Sequence, residues 1–259
     1  MSQKNDSVNR TILIALILSL ACSIIVSFAA VYLRPIQEKN QALDKKKNIL
    51  MAASLYEEGL DVEEVFSKNV RAKVVNLKDG DYVDSIEASD YDQYKKVKED
   101  SERVELSQEE DFGAIRAVAR YAVVYEVFKE GNFDQVVLPI HGKGLWSTLY
   151  GFVALSSDLN TVNGLGFYQH AETPGLGGEV DNPKWKALWK GKKVSDDQGQ
   201  YRLQVLKGAV LASHPLAHHQ VDGLSGATIT ARGVDAMLKF WLGENGFYHY
   251  LQRLKQGGV

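Results

Sequence analysis

Cysteine is almost absent from this 259-residue chain, and Cys22 is its single representative. An internal disulfide, a C-x-x-C redox pair and a cysteine zinc site are therefore excluded. The chain also lacks a G-x-G-x-x-G dinucleotide fingerprint and the cysteine set of an iron–sulfur cluster. Neither sign of charge dominates, because 30 Lys and Arg face 33 Asp and Glu. Without a basic stripe, nucleic acid is excluded as the main partner. Any electron transfer by this chain therefore requires a bound cofactor.

One long apolar run is present near the N-terminus. Residues 11–33 carry no charge and are long enough to cross a bilayer as a helix. Arg10 and Arg34 bracket the run, and Tyr32 lies where an interfacial aromatic residue belongs. A cleaved signal peptide is the alternative, because residues 27–29 resemble a small-x-small cleavage site. The uncharged run continues to Leu33, which favours a retained anchor.

The charges around this run bear on its orientation. Lys4 and Arg10 precede it, whereas a larger basic group follows it, made of Arg34, Lys39, Lys45, Lys46 and Lys47. Counted literally, the positive-inside rule places the large C-terminal part in the cytoplasm.

The remainder has the composition of a globular protein, since 45% of the chain is hydrophobic and 24% is charged. Residues 120–140 predict a β-hairpin that turns at 129–132, residues 145–170 predict two more strands, and residues 201–206 a short one. Helical patterns flank them, and one over 38–58 is expected to end at Gly59. We therefore predict an α+β fold, an antiparallel sheet with flanking helices behind a single membrane helix. The predicted divisions are a tail (1–10), the membrane helix (11–33), a helical and charged segment (34–119) and the main domain (120–259).

The last long helix is the best-defined element of the pattern. Its apolar residues fall at i, i+3, i+4, i+7 and i+8, and they are Val234, Met237, Leu238, Trp241 and Leu242. Gly243 is expected to end the helix. Either Thr228 or Thr230 is suited to be its N-cap.

The segment before this helix, residues 222–230, reads DGLSGATIT. Gly223 and Gly226 allow a close backbone approach, and a helix N-terminus presents N–H groups, so the segment is able to hold a phosphate. A capped helix start without a ligand explains the same pattern. A serine-hydrolase elbow at Ser225 fits poorly, because Ala227 replaces the final glycine and His249 is the only histidine downstream.

A second glycine-rich segment, residues 170–180, reads HAETPGLGGEV. It is either an ordinary loop or a glycine-lined wall that lets a flat ring approach the backbone, with Leu176 as an apolar contact. Trp185 and Trp189 are spaced i, i+4 and are expected to pack in the core.

Three histidines could suggest a metal site, namely His214, His218 and His219. Pro215 disrupts a helical pairing and no acidic or cysteine ligand stands beside them, which favours an exposed loop. We therefore predict no metal site.

Taken together, these segments resemble the C subunit of the sodium-translocating NADH:quinone oxidoreductases and, less closely, the G subunit of the Rnf electron-transport complex. The resemblance rests on the N-terminal anchor and on four segments in the family's order, GKGLWSTLYGFVAL, HAETPGLGGEV, PKWKALWKGKKV and VDGLSGATITARGV. The most specific is the flavinylation motif D-x-x-S/T-G-A-T, which residues 222–228 match throughout.

The resemblance implies an electron-carrying subunit whose FMN is attached by a phosphoester bond to Thr228, with Thr230 as second choice. It implies motif residues around that bond at Asp222, Ser225, Gly226 and Ala227. It implies flavin contacts from Glu172, Thr173, Gly175, Leu176 and Lys207.

The resemblance also implies partners and a location. The FMN would be attached by a separate flavin transferase, so no catalytic residue is expected in this chain. The chain would assemble with other subunits of a redox complex in the bacterial inner membrane, with its domain in the periplasm, against the charge count. An Rnf-type homologue and a membrane-anchored binding or assembly module are the alternatives.

Overall fold

The computed structural model describes residues 8–257, without the side chain of Asn9. The chain divides into two compact units, with the boundary between Asp44 and Lys45. The first unit is part of one helix, α1, which begins at Val8 and ends at Ala52. Among the described residues, α1 is the one helix that is long and apolar enough to cross a membrane. A signal sequence passes the same test, so length and composition leave both interpretations of residues 11–33 in place.

The end of α1 differs from the prediction. The helix was expected to continue to Gly59, but it stops at Ala52. Ser54 takes the left-handed conformation (φ 55°), and Leu55 N donates to Leu50 O at 2.8 Å. This is the hydrogen-bond pattern of a helix C-terminus whose left-handed position is filled by a residue other than glycine. Gly59 also has a positive φ (90°), but it lies in the turn that follows.

The second unit is built on a five-stranded antiparallel sheet in the order β1-β4-β5-β6-β7. These strands are Val70–Asn76, Tyr121–Lys129, Asn132–Lys143, Thr148–Ser156 and Val162–Gln169. The predicted hairpin is confirmed, since β4 and β5 are joined by Glu130 and Gly131. Both residues have positive φ (52° and 84°), as a tight two-residue hairpin requires. The two strands predicted within 145–170 are β6 and β7.

Short elements surround the sheet. They are α2 (Val62–Asn69), α3 (Gln93–Lys96), β2 (Arg103–Glu105), β3 (Ala117–Ala119), the 3₁₀ turns Gly177–Asp181 and Ala217–His219, α4 (Pro183–Ala187), β8 (Gln204–Val205), β9 (Gln220–Val221), α5 (Thr228–Trp241) and α6 (Tyr248–Lys255). β2 pairs with β3, and β8 pairs with β9 in parallel. The short strand expected over 201–206 is thus reduced to β8.

The core lies on both faces of the sheet. Successive residues of β5 alternate between them: Leu138 and Ile140 pack with α5 and α6, whereas Val137 packs with the end of α1. The predicted apolar stripe of α5 is buried as expected. This packing places the start of α5 beside the loop that follows β5 and the loop that follows β7. The α+β prediction is confirmed.

Candidate cofactor-binding site

The motif 222–228 forms a tight turn that leads into α5. Gly226 has a positive φ (70°), and Ala227 occupies the N-cap position, so the prediction of a threonine N-cap is wrong. Thr228 is already the first helical residue, and no side chain caps the helix. The first helical hydrogen bond runs from Ala231 N to Ala227 O at 3.0 Å. The N–H groups ahead of it, from 228 to 230, therefore lie outside the helical ladder and face the helix entrance, where an anion is favoured.

Exposure differs among the three hydroxyls of the motif. Ser225 is exposed and Thr228 is half-buried. Thr230 is only 1% exposed, and its Oγ1 donates to Glu172 Oε2 at 2.7 Å. Thr230 thus points into the interior, whereas Thr228 is partly accessible to solvent.

Glu172 is a buried strut between three segments. Its side chain is 5% exposed. Besides Thr230, its carboxylate accepts hydrogen bonds from the backbone N–H groups of Leu145, Trp146 and Ser147 at 3.0–3.2 Å. Burial raises the pKa of Glu172, but the hydrogen bonds from Thr230 and these N–H groups outweigh burial and hold the pKa below its ordinary value. Glu172 therefore lies next to the motif as a carboxylate, with both oxygens already engaged.

The loop that follows Glu172 forms a wall beside the turn. Thr173, Gly175 and Leu176 are all exposed, and Gly175 has a positive φ of 75°. A Cβ placed on Gly226 would lie 3.0 Å from Leu176 Cδ2, so this wall and the turn are in contact. The structure thus brings together the loop and the motif, which the sequence marks as two separate glycine-rich segments.

Asp222 fastens the motif to a neighbouring segment. Its carboxylate accepts from Val210 N at 2.7 Å, and its backbone carbonyl accepts from Trp185 Nε1 at 2.9 Å. At the next position, a Cβ on Gly223 would lie 2.2 Å from Leu206 O, so only glycine fits there. Lys207 follows Leu206 directly and is exposed. Asp222 therefore acts as a clamp on residues 206–210.

Helix α5 is seated closely on the end of β5. A Cβ on Gly233 would lie 2.2 Å from Lys143 O, and one on Gly142 would lie 2.8 Å from Met237 Cβ. This close approach places Thr230 within reach of Glu172.

Three apolar side chains around the site were not predicted from the sequence. Leu145 and Trp146 are 43% and 67% exposed on the turn held by Glu172, and Ile229 is 55% exposed next to Thr228. The sequence analysis used residues 145–147 only as the start of a predicted strand, and linked the segment GKGLWS to the site only through the family resemblance. Two neighbouring exposed apolar residues in a glycine-flanked turn are the signal that could have identified it.

The other sequence candidates lie in the packed interior or on the surface. Trp185 and Trp189 are buried and meet edge to face at 5.4 Å, as expected. The prediction of an exposed loop is wrong for His219, which is 2% exposed with its Nδ1 2.8 Å from Lys193 O; His214 and His218 are exposed. Among residues 8–257, no group of His, Cys, Asp and Glu could hold a metal ion.

These residues fit a flavin mononucleotide. A partly accessible threonine lies at a helix entrance that favours phosphate, and an exposed apolar loop with glycine at a left-handed position offers a wall for a flat ring. The fold and site thus define an FMN-binding domain, and the family model with that description matches residues 144–243.

Full-length relatives identify the family. The chain is 49% identical to the C subunit of the Na(+)-translocating NADH-quinone reductase of Pseudomonas aeruginosa, over 97% of this chain and 98% of the relative. It is 44% identical to that of Vibrio anguillarum over the whole of both chains. The chain therefore belongs to the family of C subunits of the Na(+)-translocating NADH-quinone reductases, and the predicted resemblance is confirmed.

Solved structures of this family have the same fold. The crystal structure of Shewanella oneidensis NqrC matches with a TM-score of 0.77 and 35% identity, covering 84% of this chain and 99% of that one. The structure of the C subunit from Parabacteroides distasonis matches with a TM-score of 0.66 and 30% identity, covering 85% and 96%.

Proposed function

We propose that this chain is an electron-carrying subunit of a Na(+)-translocating NADH-quinone reductase, with FMN attached by a phosphoester bond to Thr228. Relatives that match this chain over nearly its full length are named as subunits of that complex. The attachment site is inferred from the position of Thr228. Thr228 is the first residue of a helix that has no side-chain N-cap, and it lies beside the exposed loop 173–176.

Thr228 is a better acceptor than the other hydroxyls of the motif. Thr230 is buried, and its hydroxyl donates a hydrogen bond to Glu172. Attachment of FMN at Thr230 would therefore break a buried hydrogen bond. Ser225 is exposed but lies three residues before the helix, away from its first N–H groups.

Attachment requires an enzyme other than this chain. A threonine hydroxyl is a poor nucleophile without a base, and the acid of the motif, Asp222, is engaged with Val210 N. A flavin transferase would supply the base and an FMN donor with a leaving group on phosphorus. The Thr228 Oγ–P bond forms as the bond from phosphorus to the leaving group breaks, and the hydroxyl proton goes to the base.

Bound FMN would supply the electron transfer that no side chain of this domain offers. The chain's own residues would hold and surround it. The N–H groups at the start of α5 would bind the phosphoester, and Gly175 and Leu176 would lie against the ring, with Lys207 near its polar edge. Since the sequence has neither a dinucleotide fingerprint nor the cysteine set of an iron–sulfur cluster, we expect NADH oxidation and quinone reduction to take place on other subunits of the complex.

A gel experiment tests the attachment. Protein purified from its native host is denatured, separated and viewed under ultraviolet light, with Thr228→Val beside the matched control Thr230→Val. We expect fluorescence in the wild type and in Thr230→Val, and none in Thr228→Val. Absence of fluorescence from the wild type would favour a binding or assembly module, and loss only in Thr230→Val would move the attachment to that residue. Copurifying subunits separate the sodium pump from an Rnf-type complex.

We further propose that α1 anchors the chain in the inner membrane with the domain in the periplasm. The apolar run and the relatives from a Na(+)-translocating reductase support an anchor, and the family resemblance outweighs a charge count that rests on a few lysines. In a Cys22→Ser background, Asp197→Cys places a thiol at an exposed position. A membrane-impermeant thiol reagent should label it in intact spheroplasts. Labelling only after lysis would place the domain in the cytoplasm.

A further inference from the structure

A cavity lies beside the turn 144–147, since Gly142 and Thr148 are among its lining residues. It has a volume of about 300 Å³, at the small end of the range for ligand sites. Its floor and rim include three aromatic rings and three cations, Tyr94, His141, Tyr150, Lys98, Arg103 and Arg116. No Asp or Glu of the described residues lines it. We call it the basic cavity.

The aromatic rings pack against one another at the floor of the cavity. His141 and Tyr150 are stacked, with ring centroids 5.7 Å apart and an angle of 19° between the planes. Tyr94 meets both rings edge to face at 5.1 Å. His141 Nδ1 is buried and has no hydrogen-bond partner among the described residues, which is unusual for a buried polar atom. The floor thus combines packed aromatic rings with a polar atom that has no partner among the described residues.

The cations at the rim are not neutralised equally. Arg103 is paired with Glu105, but Lys98 and Arg116 form no ion pair within residues 8–257. The nearby carboxylate of Asp111 accepts from the backbone N–H groups of Ile115 and Arg116 and forms no ion pair with the Arg116 guanidinium within the described residues. Two positive charges therefore remain available to an anion.

The backbone of the rim is strained. Ala114 and Arg116 have positive φ values of 50° and 73°, which residues with a Cβ seldom adopt. The strained segment is held by Asp111 and by the hydrogen bond from Lys143 N to Gly113 O at 3.1 Å. Such strain persists only where the surroundings enforce it, and it concentrates at functional sites.

We propose that the basic cavity binds a small organic anion with a flat ring. The carboxylate or phosphate of the ligand lies on Arg116 and Lys98, and its ring lies against Tyr150. Arginine suits this task because its planar fork binds both anions and its charge persists at all working pH values.

The test is a titration of the full chain in detergent by calorimetry. The probes are benzoate and phenyl phosphate, with acetate, inorganic phosphate and benzyl alcohol as compounds that lack the ring or the charge. We expect the two ring-bearing anions to bind saturably and at least about tenfold more tightly than the other three. The tighter of benzoate and phenyl phosphate identifies the anionic group.

Two variants make the test specific. Arg116→Gln should weaken benzoate binding about tenfold, whereas Lys190→Gln, at an exposed lysine outside the cavity, should leave it unchanged. Unchanged melting temperatures show that both variants fold. The proposal is overturned if no ring-bearing anion binds saturably, if acetate binds as tightly as benzoate, or if the two variants behave alike.

Discussion

The carboxylate of Glu172 is expected to be a principal support of the cofactor-binding site, and Glu172→Gln tests this. The substitution keeps the volume and one oxygen but replaces the other oxygen with a donor. The NH₂ group would then face either Leu145 N or the N–H groups of Trp146 and Ser147, which would lose their acceptor. Loss of a charge-assisted hydrogen bond and at least one unsatisfied donor together cost about 2–3 kcal/mol.

For a domain of this size, a loss of 1 kcal/mol in the free energy of unfolding lowers the melting temperature by about 2–4 °C. The variant should therefore melt about 4–12 °C below the wild type at neutral pH, as measured by circular dichroism of the full chain in detergent. Glu109→Gln is the matched control, because Glu109 is exposed, and it should change stability by less than about 0.5 kcal/mol.

The pH dependence has a definite sign. The folded-state pKa of Glu172 is depressed, so its contribution is present above the unfolded value of about 4.3 and is lost as the pH falls through the folded value. The difference between wild type and Glu172→Gln should accordingly shrink below about pH 4. A variant that melts with the wild type at pH 7, or a difference that stays constant down to pH 2, would refute the role of this carboxylate.

Three further substitutions probe the same site. Thr230→Val should cost about 1–3 kcal/mol in thermal unfolding, because it removes one of the two hydrogen bonds to a buried carboxylate oxygen, while Thr230→Ser should restore most of the loss. Gly233→Ala should cost at least about 2 kcal/mol, since its Cβ would meet backbone, whereas Gly208→Ala, with open space around it, should be nearly neutral. Asp222→Ala should free Val210 N and increase protease cleavage in the adjoining loop, with unchanged cleavage arguing against the clamp.

The elements that the sequence predicted well are those specified by neighbouring residues. The β4–β5 hairpin follows from apolar runs on either side of Glu130-Gly131, and the stripe of α5 follows from helical spacing. Pairing between β1 and β4 was not predicted, because it joins segments about 50 residues apart that no local pattern connects.

The candidate site shows the same division. The motif and the glycine-rich loop were found from their own residues, but their contact depends on how α5 is seated on β5. Glu172 was expected as a flavin contact. Its hydrogen bonds to the 145–147 turn and to Thr230 could not be inferred from the sequence, because these partners lie 25 to 58 positions away. The N-cap was misassigned because the backbone at Ala227, rather than the side-chain preference of threonine, decides where α5 begins.

The uncapped start of α5 has a consequence for biogenesis. A missing N-cap costs a helix about 1 kcal/mol, and a phosphate at the same place would satisfy the same N–H groups. The segments 172–176 and 222–228 are distant in sequence and are brought into contact by folding. If a flavin transferase attaches FMN to Thr228, as proposed above, and recognises both segments, folding would precede attachment, and the attached cofactor would make unfolding of its own carrier harder.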